Sequence, residues 1–79
     1  MHPKVTRKHL KALKEVLTYF DEQQSIAESL GLSKAIVNDW FRGRKPISVK
    51  QAHRLSKQLQ NRVTFAQLRP DVQKEYDNF

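Results

Sequence analysis

Large apolar residues recur three or four positions apart along most of the chain, the spacing that gathers side chains on one face of a helix. Leu10, Leu13, Val16, Leu17 and Phe20 follow this rule. They predict a first helix, capped by Thr6 and running to about Phe20, with the whole stripe buried. Asp21 with Gln24 has the form of a capping box and starts a second helix. Ser33 caps a third, which stops at Gly43, and Pro46 then breaks the chain. Ser48 with Gln51 makes another box, with Ile47 placed to staple onto Ala52. A fourth helix extends from there to about Gln60, turning Val49, Ala52, Leu55 and Leu59 inward, and Asn61 can end it in the left-handed conformation. Thr64 with Gln67, between Val63 and Leu68, starts a single turn ended by Pro70. β-branched residues do not alternate, and glycine and proline are scarce. The expected fold is therefore all-α, a bundle of about five short helices. It forms one domain over residues 1–79, with a core of about 8–70 and a tail over 71–79.

The stretch from Gln23 to Arg42, QQSIAESLGLSKAIVNDWFR, has the pattern of a helix-turn-helix. Two helices that cross steeply over a short turn need a small residue where they touch, supplied by Ala27. They also need a residue that accepts left-handed backbone at the turn, supplied by Gly31. Ile26, Leu30, Leu32, Val37 and Trp40 are the large apolar residues of the pair. An ordinary helical hairpin is the simpler alternative, but it would not require all seven positions to agree. In the third helix the expected inward side is Ile36, Val37 and Trp40.

Seventy-nine residues lie near the lower end for an independently stable core. The absence of cysteine removes disulfides and thiolate metal sites as braces. Apolar runs are too short for a membrane span and no signal-like segment comes after Met1, so a soluble, cytoplasmic protein is expected. The net charge of +7 is concentrated. Residues 33–62 carry eight Lys/Arg against one Asp/Glu, whereas residues 1–32 carry five against four and residues 63–79 two against three. A block of cations on the third helix and the segment after it suits phosphate binding. A basic helix of the calmodulin-target or membrane-surface type would need an open apolar face, and the apolar residues are expected to be consumed by the core.

The motif, the segment WFRGRKPIS that trails it and the closing VTFAQLRPDV together resemble phage Cro-type repressors. The nearest resemblance is to the Cro-like antitoxin family of the lambda-repressor-like fold. Its recognition helix is bounded by a glycine and followed by a proline, and its members end in a V-T-x-x-x-L-R-P-D segment. Val63, Thr64, Leu68, Arg69, Pro70 and Asp71 match that segment, and the resemblance runs from about Leu13 to Val72. Two departures stand out: Ser56 replaces a frequent acidic residue, and Gln60-Asn61 replace Gly-Gly. The resemblance implies a Cro-like repressor of phage or prophage origin, in a prokaryotic cell or infected host. It binds double-stranded DNA at a palindromic operator as a homodimer. Its alternative is an antitoxin whose DNA binding is autoregulatory and whose main partner is a toxin.

Ser33, Lys34, Ala35, Asn38, Asp39 and Arg42 are left facing a DNA groove, and the first turn of a recognition helix reaches deepest. Lys34 suits guanine N7 and O6, Asn38 adenine N6 and N7, and Ala35 a thymine methyl. Asp39 suits cytosine N4 or an ion pair with Arg42 one turn on. Plain solvent exposure is the simpler fate of Lys34 and Asn38. Phosphate contacts are expected from Gln23 and Gln24 at the start of the second helix, where backbone N–H groups favour an anion. The resemblance supports a glutamine there. Arg42, Arg44, Lys45 and Lys50 surround the loop after the third helix and complete the phosphate set. Phe65, Leu68, Val72, Tyr76 and Phe79 form the candidate dimer surface, with an unstructured tail as the alternative.

Trp40-Phe41 before arginines also suggests a homeodomain third helix, but Gly43 stands where that family needs its adenine-reading asparagine. Trp40 is better placed in the core, with Phe41 partly exposed and Tyr19 at the edge of the first helix. His2, His9 and His53 lack metal-ligand spacing and read as surface or partly packed. No nucleophile–base–acid set and no glycine-rich phosphate loop is present. Neither catalysis nor a cofactor or metal is expected, and a base-independent architectural or RNA-binding role is the remaining alternative.

Overall fold

The computed structural model describes residues 5–72. They form five helices, α1 (Arg7–Val16), α2 (Gln23–Leu30), α3 (Lys34–Phe41), α4 (Val49–Gln58) and α5 (Phe65–Leu68), with no strand among them. The all-α expectation holds, and α2 and α3 are joined by a short turn as the sequence requires. The core is built from α1 (Leu13, Val16), α2 (Ile26, Ala27, Leu30), α3 (Val37, Trp40), Ile47, α4 (Ala52, Leu55) and the closing segment (Val63, Leu68). Trp40 is buried and Phe41 half-buried, as expected.

Three helix starts are set by the local chemistry anticipated for them. The Ser33 and Ser48 hydroxyls accept from the N–H groups of Ile36 and Gln51. Thr64 and Gln67 form a complete reciprocal box: the Gln67 N–H donates to the Thr64 hydroxyl and the Thr64 N–H to the Gln67 carboxamide. At Ser48 the box is only half made, because the Gln51 carboxamide oxygen accepts from Arg54 instead. The box expected from Asp21 and Gln24 does not form. α2 begins one residue later with Glu22 as its cap, which makes no side-chain bond, and Gln24 donates to Glu28 one turn on.

The first helix also ends early, at Val16 rather than Phe20. The Thr18 and Tyr19 N–H groups bond to carbonyls three residues back, and the Thr18 hydroxyl takes the Glu15 carbonyl. The backbone tightens there and the apolar stripe bends. Leu13 and Val16 stay in the core, while Leu17 and Phe20 are half-buried against it. Leu10, expected inside, is 38% exposed, and the inward position on that turn belongs to His9 at 2%. Tyr19 lies outside the core, with the Arg62 guanidinium 5.6 Å from its ring centre.

α4 closes through two successive left-handed residues, Gln60 (φ 54°) and Asn61 (φ 64°). The Asn61 N–H bonds to the Ser56 carbonyl, and its side-chain oxygen accepts from the buried Ser56 hydroxyl at 2.8 Å. Left-handed backbone is the conformation that glycine adopts at least cost, so the Gly-Gly expected here from the resemblance would suit these two positions.

The chain ends of the described region are fastened by one polar network. Arg69 is 5% exposed. Its Nη1 donates to the Ile47 carbonyl at 2.9 Å, and Nε and Nη2 donate to the two Asp71 oxygens at 3.0 and 2.8 Å. Asp71 Oδ1 also lies 3.0 Å from His9 Nε2, while His9 Nδ1 accepts from the Thr6 N–H at 3.0 Å. These bonds assign the ring proton to Nε2. Leu68, offered as part of a dimer surface, is fully buried beside this network and cannot serve there. Phe65 stacks on His53 with ring centres 4.0 Å apart. Tyr76 and Phe79 lie outside the described residues.

The Arg69 guanidinium, acting against partial burial and helped by His9, lowers the Asp71 carboxyl from 3.8 to about 2. A lowered acid stabilises the fold fully above its unfolded value and loses that contribution as pH falls through its folded value. Thermal melts should therefore lose stability between about pH 4 and pH 2, and Asp71→Asn should flatten that dependence. At pH 7, Asp71→Ala strands a buried guanidinium and should cost about 1–3 kcal/mol. Gln60→Gly should act oppositely, raising stability by about 0.5–1 kcal/mol by relieving left-handed strain, read as a higher melting temperature.

Candidate nucleic-acid interface

The turn between α2 and α3 is a backbone solution. Gly31 sits at φ 69°, and the Leu32 N–H reaches back to the Ala27 carbonyl at 2.9 Å, closing α2 in a left-handed cap. A Cβ added at Gly31 would meet nothing within 4 Å. The glycine is needed for its dihedral alone. Ala27, with no exposed surface, lies inside the core that the two helices share.

Burial of Val37 and Trp40 fixes the rotation of α3 about its axis. Lys34, Ala35 and Arg42 are then exposed, with Ser33 exposed at the cap and Asn38 and Asp39 half-buried on the same side. Ile36 departs from expectation. It is 44% exposed, because a helix this short with Val37 and Trp40 inward turns position 36 to the flank. There it lines a cleft with Leu32, Trp40, Lys45 and Pro46.

The outward polar groups are not independent. Asn38 donates from Nδ2 to the Gln23 carboxamide oxygen at 3.1 Å, so the first residue of α2 holds the amide in the middle of α3. Gln23 and Asn38 line a second cleft, together with Lys34, Leu17, Asp21 and Glu22. Two carboxylates at the entrance of α2 oppose an anion there, and Lys34 offsets them only in part. Gln24, predicted to act beside Gln23, instead bonds along its own helix to Glu28.

Asp39 pairs with Arg44 at 3.6 Å and not with Arg42. The Arg44 N–H also reaches the Asp39 carbonyl at 3.0 Å, so the loop folds back onto α3 and brings Arg44 within reach. Arg42 makes no ion pair among the described residues. Gly43, at φ 73°, starts that return, and a Cβ there would stand 3.8 Å from Val5 and 4.0 Å from Leu10. Lys45 lies exposed on the loop and Lys50 on the first turn of α4. Arg69 holds this loop from behind through its bond to the Ile47 carbonyl.

Sequence reasoning thus located the face of α3 but missed three of its features. The Gln23–Asn38 bond joins residues fifteen apart and has no local signature. The Asp39–Arg44 pair depends on the loop's return. Ile36 obeys a rotation that only packing sets. Among the described residues no group of His, Cys, Asp or Glu is arranged to hold a metal ion. No described helix is long and apolar enough to cross a membrane.

The family model described as "Bacterial toxin YdaS" matches residues 15–77. No curated protein and no solved structure matches the chain. The matched stretch takes in α2 to α5 whole, with the α2–α3 unit and the LRPD segment. The family is described as a toxin and not as a Cro repressor, which narrows the resemblance read from the sequence. With most of its length matched, the chain belongs to the bacterial toxin YdaS family.

Proposed function

We propose that this protein is a sequence-specific DNA-binding transcriptional regulator that inserts α3 into the major groove and represses as a homodimer on a palindromic operator. The observation that carries the reading is the outward face of α3. It presents the short side chains Ala35 and Asn38 between the cations Lys34 and Arg42, has Asn38 held by a side-chain bond from the start of α2, and is continued at once by a cationic loop. Lys34, Ala35, Asn38 and Arg42 read base edges. Gln23 orients Asn38 as well as facing the backbone, leaving the Asn38 carboxamide oxygen and one N–H for adenine N6 and N7. Arg42, at the end of α3, can also join Arg44, Lys45 and Lys50 in holding the flanking phosphates. One recognition helix reads only a few base pairs, so two subunits would occupy half-sites about 34 Å apart.

The toxicity in the family's description fits this reading without a chemical step. A regulator that occupies promoters its host needs would harm the cell by binding alone. Its site of action would be the DNA of a prokaryotic cell.

The test is binding to the DNA upstream of the protein's own gene against a scrambled duplex of equal length at the same salt. A preference of about a thousandfold is expected. Asn38→Ala should lower it by about 1–3 kcal/mol, roughly 5- to 150-fold. Gln23→Ala should lower it in the same direction but less, since it loosens Asn38 without removing it. Equal affinity for both duplexes would sink the proposal. If each subunit neutralises about four phosphates, the dimer's log K should fall against log salt with a slope near −7. A slope shallower than about −2 would contradict the phosphate set.

A further inference from the structure

The exposed side of α1 carries two adjoining stripes. Leu10 and Leu17 stand two turns apart and form, with Phe41 from the end of α3, the apolar floor of a cleft of about 500 Å³. Arg7, Lys11 and Lys14 recur every three or four residues along its edge. None of these three cations makes an ion pair among the described residues. Leu10 keeps 38% of its surface exposed, on a helix whose other large aliphatic residues turn toward the core.

We infer that this cleft is a protein-docking surface, and that its occupant is an amphipathic helix with a leucine-type stripe flanked by carboxylates. The two stripes are parallel, one apolar and one cationic, and a helix with apolar residues every three or four positions and acids beside them matches both. Apolar contact on Leu10, Leu17 and Phe41 supplies affinity, while the cation row sets orientation and speeds encounter. Duplex phosphates satisfy the cations but bring nothing apolar to cover Leu10. A second copy of α1 would set cations against cations. α1 lies alongside α3, with Leu10 next to Gly43 and Leu17 sharing a cleft with Lys34 and Asn38. An acidic helix seated here would therefore border the proposed reading face and oppose DNA binding. The surface itself does not depend on the DNA reading.

The probe is a synthetic peptide of about 18 residues with leucine at every third or fourth position and glutamate elsewhere, titrated into the full chain. The expected result is saturable binding in the tens of micromolar, with amide shift changes centred on Leu10, Leu17 and Phe41. Leu10→Ser should weaken it at least tenfold, and so should Lys11→Glu with Lys14→Glu, which removes charge without touching the core. Helical circular dichroism confirms that each variant is folded. No saturable binding, or equal binding of a scrambled peptide of the same composition, overturns the inference. So does a result in which Leu10→Ser leaves peptide binding unchanged while the double charge reversal makes the dimer's DNA salt slope shallower by about 3 to 4, because the face then belongs to phosphates.

Discussion

One buried cation organises this small protein. The Arg69 guanidinium holds the Ile47 carbonyl with one nitrogen and both Asp71 oxygens with two others. In a chain this short a desolvated charge is tolerable only when its donors are met with good geometry. Among the described residues no buried side-chain nitrogen or oxygen lacks a partner. Asp71 passes the connection to His9, and His9 passes it to the Thr6 N–H at the start of α1. The closing segment is thereby tied to the first helix and to the loop after α3. No disulfide is available to make those ties.

That arrangement bears directly on the proposed reading face. The loop held by Arg69 is the one that carries Arg44 and Lys45 and leads into the Ser48 cap. Its fold back onto α3 pairs Arg44 with Asp39. At the other end, the left-handed cap at Gly31 sets where α3 begins, and Gln23 takes hold of Asn38. The helix is thus positioned from both ends by groups that are not on it. Precise placement is what discrimination between base pairs demands, since hydrogen bonds to base edges weaken sharply with misalignment.

The positive charge lies on two faces of different character. The cations after α3 flank a polar surface, and the cations of α1 flank an apolar one. Total charge could not distinguish these two surroundings. The sequence placed the excess over residues 33–62, and the near-neutral balance of residues 1–32 concealed a basic row on α1. Of the four acids that offset it, Glu15 stands on α1 itself, and Asp21, Glu22 and Glu28 stand on α2 or just before it.

What was legible from sequence is whatever a few consecutive residues decide. Ser33, Ser48 and Thr64 cap helices because, at a helix start, a hydroxyl three residues before an N–H is within reach of it. Gly31 and Asn61 close helices because backbone sterics are local. The periodic placing of Val37, Trp40, Ala52 and Leu55 announced the core. Tertiary structure decided the cases in which two local solutions were nearly equal. It ended α1 at Val16, chose His9 over Leu10 for the interior and turned Ile36 outward. It paired Asp39 with Arg44 and bound Gln23 to Asn38. Each of these depends on how a helix is rotated or how a loop returns. Packing of distant residues sets both, because burial is won by the whole core and not by any one segment.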